Sequence, residues 1–297
     1  LRRYYERVDA RIRRTQNPAD MPVPAAPLPV PPAPPAQDVP PPFFAALEHW
    51  YLATATQLGR RTAEMHLALA DADGQAFAPE PLDADALAAI ARDMRTHADA
   101  ALDLLERRLD AMPEAVRAES AAVLEGRRAI VKTFDDLRSL ESGGLRIRVH
   151  GDYHLGQVLR AEEDFVIVDF EGEPARTIAE RRAKQSPLKD VAGMLRSYSY
   201  AAYAALFMFT VHAPDAVKLL ETWAETWRHW TSRAFVAGYR EAIGALPLVP
   251  ESAFDPLLRA FTMDKALYEL AYELNARPDW VRIPVVGIRK LLGDILA

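Results

Sequence analysis

Cysteine is absent from the 297 residues of the chain. Without thiols the protein has no disulfide bonds, no zinc site built from thiolate ligands and no cysteine nucleophile. The lack of cysteine does not by itself indicate a cellular compartment.

Lysine and long apolar runs are also scarce. The chain has only six lysines and a net charge of −6, which argues against a general nucleic-acid binder because phosphate contacts need a basic surface. No run approaches the roughly 18 consecutive apolar residues of a membrane span, and no signal peptide opens the sequence. We therefore expect a soluble, cytoplasmic protein that binds neither nucleic acid nor membrane.

Proline is concentrated near the start of the chain. Residues 21–42 hold 11 of the 23 prolines, and proline fixes φ and removes a backbone donor, which favours an extended linker. Residues 1–16 have the pattern of a basic helix that begins abruptly, as if continuing from an upstream region. The sequence thus predicts a helix tail and linker over 1–42 and a second region over 43–297.

In the second region, the spacing of the hydrophobic residues changes from a helical period to a strand-like one and then back. Helical spacing runs from 43 to about 142, with a break at Met112-Pro113. Residues 145–149 then alternate as a half-buried strand does, and residues 164–170 read as a short buried strand. Further helices are predicted over 187–210, 215–243, 252–274 and 284–296. The predicted fold is mainly α with a small β element.

The densest polar chemistry lies in that β element. His150 and Asp152 follow the first strand, Gln157 lies five residues after the aspartate, and Asp169-Phe170 end the second strand. This spacing matches the catalytic template of kinases, in which one aspartate accepts the proton of the attacking hydroxyl. Gln157 and Asp169 are then candidate ligands of Mg²⁺, which prefers oxygen donors and retains several waters.

Two residues depart from the template, and two other interpretations remain. Gln157 replaces the usual asparagine, and Glu171 replaces a glycine and offers a further oxygen to the metal. A metallophosphatase would need an upstream Asp-x-His and a downstream Asn-His pair, and the sequence has neither. A purely structural role, with His150 at a strand end and Asp152 in a turn, would leave the second motif as a coincidence.

A family resemblance extends the motif. The block VHGDYHLGQVLRAEEDFVIVDFEGEPARTIAERRAKQSPLKDVAGMLRS closely resembles the bacterial maltokinases. These are eukaryotic-like kinases of the aminoglycoside-phosphotransferase group and are sometimes fused to trehalose synthase. GRRTAEMHLALA and DKALYELAYELNARPDWVRIPVVGI extend the resemblance over most of the chain after the proline-rich stretch. It implies a protein-kinase-like C-terminal lobe that uses ATP and Mg²⁺ to form maltose 1-phosphate, which feeds α-glucan synthesis from trehalose.

The resemblance also implies roles for individual residues. Asp152 would be the catalytic base, Gln157 and Asp169 would hold ATP-bound Mg²⁺ with Glu171 assisting, and His150 would brace the loop. No glycine-rich loop is present, and the first lysine, Lys132, lies in a predicted helix. We therefore expect the N-terminal lobe to be largely absent from this chain and to come from upstream sequence. The chain alone would then be inactive.

A sugar-binding face is predicted on the helix after residue 252. Lys265, Tyr268, Glu269 and Tyr272 lie at i, i+3, i+4 and i+7 and so share one side of a helix. Their pattern alone favours an exposed helix side with one Lys–Glu pair. The resemblance favours maltose ligands instead, with Asp152 touching the reacting hydroxyl.

Two other functions remain open. The same kinase machinery could phosphorylate an aminoglycoside, choline or another sugar. A choline site would need an aromatic cage and an aminoglycoside site a strongly acidic cleft, and the mixed face of lysine, tyrosine and glutamate matches neither. The chain could also be a non-catalytic module of a trehalose synthase assembly.

Overall fold

The computed structural model describes residues 1–14, 42–174, 176–212, 216–244 and 248–296. The predicted linker at 21–42 lies outside them except for Pro42, where a helix begins. The elements in chain order are α1 (Arg2–Arg14), α2 (Pro42–Asp71), β1 (Glu80–Asp83), α3 (Ala84–Arg108), α4 (Glu114–Glu125), α5 (Arg127–Asp135), β2 (Ser142–Arg146), β3 (Val158–Ala161), β4 (Asp164–Ile167), α6 (Ile178–Arg182), α7 (Leu188–Thr210), α8 (Ala216–Ile243), α9 (Glu251–Ala276) and α10 (Arg282–Leu296). The predicted mainly helical fold with a small β element is confirmed, whereas the absence of an N-terminal lobe stays a prediction.

The chain divides into two compact units. Unit 1 contains the described residues of 1–61 and 197–242, and unit 2 those of 62–196 and 243–297. In unit 1 the buried Tyr4 hydroxyl donates to the Trp223 carbonyl at 2.8 Å, and the buried Tyr5 hydroxyl donates to the Ala202 carbonyl at 2.9 Å. Helix α1 therefore packs within unit 1. The predicted upstream origin of this helix and the predicted boundary at residue 42 stay predictions.

Unit 2 is built around the long helices α3 and α9. These two helices pack on each other, α5 packs on both, and α10 packs on α4 and α9. Their facing sides carry fully buried leucines such as Leu102, Leu105 and Leu267, whose removal from water supplies most of the driving force for packing. The ends of the helices follow local signals: Asp83 caps the first turn of α3 by accepting the Ala86 N–H at 3.0 Å.

The β elements of unit 2 form two separate antiparallel pairs, β1 with β2 and β3 with β4. The alternation over 145–149 is seen in burial, because Ile147 and Val149 are buried and pack with Leu248. The regular strand nevertheless ends at Arg146, and Ile147 pairs with Gln185 as an isolated bridge. The predicted strand over 164–170 is shorter and less buried than expected: β4 ends at Ile167, and Val166 is 47% exposed.

Candidate active site

The loop that carries Asp152 is held by a buried carboxylate. Asp190 of α7 accepts the backbone N–H of His150 at 2.8 Å and that of Gly151 at 3.0 Å. The same carboxylate lies 3.1 Å from Nε2 of His66, and both side chains are buried. Burial alone would raise the pKa of Asp190, but the hydrogen bond and charge of His66 and the two backbone N–H groups together lower it. Asp190 therefore stays ionised and fixes the start of the loop.

His150 joins this loop to the segment that precedes Asp169. Its Nε2 donates to the Val168 carbonyl at 2.8 Å, and its Nδ1 accepts the Asp152 N–H at 3.4 Å. Because a carbonyl oxygen only accepts, the contact with Val168 assigns a proton to Nε2. His150 thus contacts both segments, and its bracing role stays a prediction.

The loop that carries Asp152 and the turn after Glu171 approach each other at two glycines. Gly151 and Gly172 have φ angles of +85° and +75°, a region that side chains rarely adopt. A Cβ atom on Gly151 would lie 3.4 Å from the Cα atom of Gly172. The turn after His150 and the turn after Glu171 thus lie in van der Waals contact. The sequence predicted Asp152 and Asp169 at the ends of two strands. The structure differs from this prediction because the segment before Asp152 does not pair with β4.

The candidate metal ligands come together in part. Gln157 Nε2 donates to Oδ2 of Asp169 at 2.7 Å, so an amide and a carboxylate lie side by side at the same end of the antiparallel β3–β4 pair. The Glu171 side chain is exposed. Within the described part of the chain, no group of three or more acidic or histidine side chains is close enough to hold an ion. The structure therefore joins Gln157 with Asp169, and the role of Glu171 as a further ligand stays a prediction.

Asp152 lies on the wall of a cavity of about 700 Å³ within unit 2. The other walls come from one side of α3, one side of α9 and the segment from Gly172 to Gly193. The charged and aromatic lining includes Asp152, Glu173, Lys189, Asp264, Lys265 and Tyr268. A volume of this size lies within the range typical of small-molecule sites.

Besides Asp152, two of the four sugar ligands predicted on α9, Lys265 and Tyr268, line this cavity. Lys265 Nζ lies 4.8 Å from the centre of the Tyr268 ring, a cation–π arrangement. Burial and a hydrogen bond to Glu173 raise the pKa of the Tyr268 hydroxyl, and the charge of Asp152 adds to the effect. Tyr268 therefore links the predicted sugar face of α9 with Glu173, in the segment after Gly172.

The other two predicted ligands lie elsewhere. Glu269 is buried and accepts a hydrogen bond from Arg196 Nε at 2.7 Å, and it does not line the cavity. Tyr272 is 50% exposed, lies beneath the Arg277 guanidinium and is also outside the cavity lining. The structure thus separates Glu269 and Tyr272 from the pair formed by Lys265 and Tyr268.

Asp190 is the functional residue that the motif analysis missed. It lies 38 residues after Asp152 in the sequence, inside the apolar run SPLKDVAGML. The signal available in the sequence was an acidic residue inside a mostly apolar run. Such a run is expected to be buried, and a buried carboxylate needs several hydrogen-bond donors. His66, its buried partner, lies in the stretch GRRTAEMHLALA and was interpreted as a packed histidine rather than a ligand, and only the fold shows its contact with Asp190.

The described part of the chain has no helix that is both long and apolar enough to cross a membrane. No family model matches the sequence.

Curated proteins similar to the chain are glucosamine kinases. The chain is 30% identical over 246 residues to the enzyme of Streptacidiphilus jiangxiensis, in a match that covers 82% of the chain and 50% of that protein. It is 32% identical over 245 residues to the enzyme of Mycolicibacterium smegmatis (strain ATCC 700084 / mc(2)155), covering 80% of the chain and 53% of that protein. The chain spans about half the length of the curated relatives it matches.

Solved structures give the same result. A glucosamine kinase in crystal form B matches with a TM-score of 0.65 and 29% identity, over 82% of the chain and 53% of the solved one. A glucosamine kinase in complex with glucosamine, ADP and inorganic phosphate matches with a TM-score of 0.64 and 29% identity, over 82% of the chain and 56% of the solved one. These relatives support a small-molecule sugar kinase and give no support for maltose, glycogen synthesis or trehalose synthase in particular.

Proposed function

We propose that the chain contributes the catalytic loop and acceptor site of an ATP-dependent sugar kinase. The observation that carries the proposal is the position of Asp152. It lines a cavity that Lys265 and Tyr268 also line. The two residues directly before it are held by the buried Asp190. A carboxylate fixed beside a polar cavity is what a kinase needs to orient and deprotonate a hydroxyl.

Asp152 is the proposed general base. The sugar oxygen bonds to the γ-phosphorus of ATP while the bond between that phosphorus and the leaving oxygen of ADP breaks. The hydroxyl proton passes to the Asp152 carboxylate. The products are therefore the sugar phosphate, ADP and a protonated Asp152 carboxyl group. The rigid hold of Asp190 on the preceding backbone keeps the carboxylate in position.

Gln157 and Asp169 are the proposed ligands of Mg²⁺. Their side chains lie 2.7 Å apart and offer an amide and a carboxylate oxygen, the donors that Mg²⁺ prefers. Two protein ligands suffice because this ion keeps several waters and binds the phosphates of its nucleotide. When bound, the ion would neutralise charge on those phosphates. His150 fixes the backbone before Asp169 relative to the loop of Asp152.

An amino sugar such as glucosamine is the first candidate acceptor. The relatives named above are glucosamine kinases, and Glu173 and Asp264 add carboxylates to the cavity that could face an ammonium group. Maltose is the second candidate, favoured by the resemblance of the central block to maltokinases. Of the ligands predicted for it, Asp152, Lys265 and Tyr268 line the cavity.

An acceptor panel tests the proposal. The full-length protein would be incubated with ATP and Mg²⁺ and, separately, with glucosamine, glucose, maltose, an aminoglycoside and choline. We expect the highest kcat/KM with glucosamine, measured as ADP release and confirmed by phosphorus NMR of the product. A preference for maltose with phosphate on its anomeric oxygen would support the second candidate. No phosphorylation of any sugar, together with no calorimetric binding of ATP, would refute the kinase and favour a non-catalytic module.

A further inference from the structure

Three lysines line the cavity, and they differ in their contacts. Lys184 Nζ donates to the Gln75 carbonyl at 2.9 Å and to Glu80 Oε1 at 2.8 Å. Lys265 Nζ lies over the Tyr268 ring. Within the described part of the chain, Lys189 makes no side-chain hydrogen bond or ion pair.

The setting of Lys189 is unfavourable for an ammonium group. It is the second residue of α7, where the positive end of the helix disfavours a cation. Burial lowers the pKa of Lys189, although the charge of Asp190 opposes the shift.

The charges around Lys189 come from three elements. Asp190 lies on its own helix, Glu173 and Arg176 lie on the loop before α6, and Asp264 lies on α9. Two carboxylates from other elements therefore act on the ammonium electrostatically, but neither makes an ion pair with it. Because an ammonium has three donors and no acceptor, its donors remain available to oxygen atoms inside the cavity.

We propose that Lys189 is a ligand of the acceptor sugar and donates from Nζ to one of its hydroxyl oxygens. The inference rests on the proposed sugar-kinase function and adds a specificity-determining residue to the same cavity. Hydroxyl oxygens suit this position because they accept a hydrogen bond without requiring a formal negative charge. A sugar that lacks the contacted hydroxyl would leave the buried ammonium unpaired, and such losses discriminate strongly between substrates.

Substitution of Lys189 separates sugar binding from chemistry. In the full-length protein, Lys189→Met keeps the length of the side chain and removes its charge, so the fold should be retained. We expect KM for the acceptor to rise about 10- to 100-fold, the range for a hydrogen bond to a charged group. The kcat and the KM for ATP should change little. Lys189→Arg retains donors and charge and should recover part of the loss.

Lys184→Met is the matched control, because it removes a charge from the same cavity at a lysine already bound to Glu80. Its acceptor KM should stay near the wild-type value. An equal rise in both methionine variants would show that the net charge of the cavity matters rather than a contact of Lys189, and would overturn the proposal.

Monodeoxy sugars identify the contact directly. If Lys189 donates to one hydroxyl, one monodeoxy form of the accepted sugar should lose affinity with the wild type but lose no further affinity with Lys189→Met. Such non-additivity is the signature of a direct interaction. Full additivity for every analogue, or a wild-type KM in Lys189→Met, would overturn the role of Lys189 while leaving the kinase intact. Inactivity of the wild type towards every sugar would instead refute the proposed function and this inference with it.

Discussion

Arg196 and Glu269 form a buried ion pair, with Arg196 Nε donating to Glu269 Oε2 at 2.7 Å. The pair joins α7 to α9 inside unit 2. Burial raises the pKa of Glu269, and the charge of Arg196 opposes this shift. The pair accounts for the separation of Glu269 from the sugar face predicted on α9, because its carboxylate is already engaged inside the helical packing.

Replacing Glu269 should affect stability rather than sugar binding. Glu269→Leu removes the carboxylate that accepts from the buried Arg196 Nε, and breaking such a pair typically costs about 3–5 kcal/mol. We expect that loss in the free energy of unfolding, measured by urea denaturation, with the acceptor KM unchanged. The double variant Arg196→Met/Glu269→Leu should recover most of the loss. A raised acceptor KM at wild-type stability would instead return Glu269 to the sugar site.

Asp190 should control both stability and turnover. Asp190→Asn keeps the shape of the side chain but replaces a charged acceptor of two backbone N–H groups, at a cost of about 1.5–3 kcal/mol. Turnover should fall about 100-fold, because a small displacement of the Asp152 loop disturbs the reacting geometry. The exposed Asp73→Asn is the control and should change neither quantity.

The pH dependence of the Asp190 variant gives an independent check. Because the pKa of Asp190 is lowered in the folded state, its contribution is complete above the unfolded value of about 3.9. It is lost as the pH falls through the lower folded value. Acid denaturation of Asp190→Asn should therefore be less steep than that of the wild type. An identical acid transition in both proteins would contradict the proposed anchoring role.

Asp152 should be needed for chemistry and not for sugar binding. Asp152→Asn keeps the size of the side chain but cannot accept the hydroxyl proton, and loss of a general base typically lowers kcat by about 10²–10⁴-fold. Calorimetry should show acceptor affinity near the wild-type value. Turnover at the wild-type rate would remove Asp152 from the role of base and would leave the cavity as a binding site only.

Substitution of Asp169 should reveal the metal ligands. Asp169→Asn removes the charge beside Gln157, and we expect the Mg²⁺ concentration for half-maximal activity to rise by at least about tenfold. Glu171→Gln decides whether the third predicted ligand contributes. Its side chain takes no part in the hydrogen bond between Gln157 and Asp169, so a much smaller change is expected, and a change as large as that of Asp169→Asn would place Glu171 at the metal.

The sequence could indicate the residues of the candidate site because their spacing is local. His150, Asp152, Gln157 and Asp169 lie within 20 consecutive residues, and their spacing carries the kinase template. The ends of α9 were also predicted closely: a helix was expected over 252–274, and the structure has it from Glu251 to Ala276. The pattern of neighbouring residues could not predict that the regular strand ends at Arg146 and that Ile147 pairs with the distant Gln185.

The orientation of α9 shows why other residues could not be assigned from the sequence. At about 100° per residue, Lys265, Tyr268 and Glu269 lie within one arc of the helix, so periodicity treats them as equivalent. Their roles diverge because Arg196, from a distant part of the chain, engages Glu269. Asp190 was missed for the same reason, since its partners at His66, His150 and Gly151 are assembled only by tertiary folding.

A half-buried histidine should make stability depend on pH near neutrality. His97 Nδ1 of α3 lies 3.2 Å from Oδ1 of Asp264 of α9, and this hydrogen bond raises the pKa of His97 although burial opposes it. Asp93 adds to the shift and Arg176 opposes it. The contribution is therefore fully present below the unfolded value of about 6.5 and is lost as the pH rises through the higher folded value.

Unfolding free energies measured from pH 5 to 9 test this contribution. Because both side chains are partly exposed, solvent screening should limit the effect to less than about 1 kcal/mol. His97→Gln should abolish this loss of stability with rising pH, and Asp264→Asn should abolish it to the same extent. If the wild type and both variants have parallel profiles across this range, the pair between α3 and α9 does not titrate as the structure predicts.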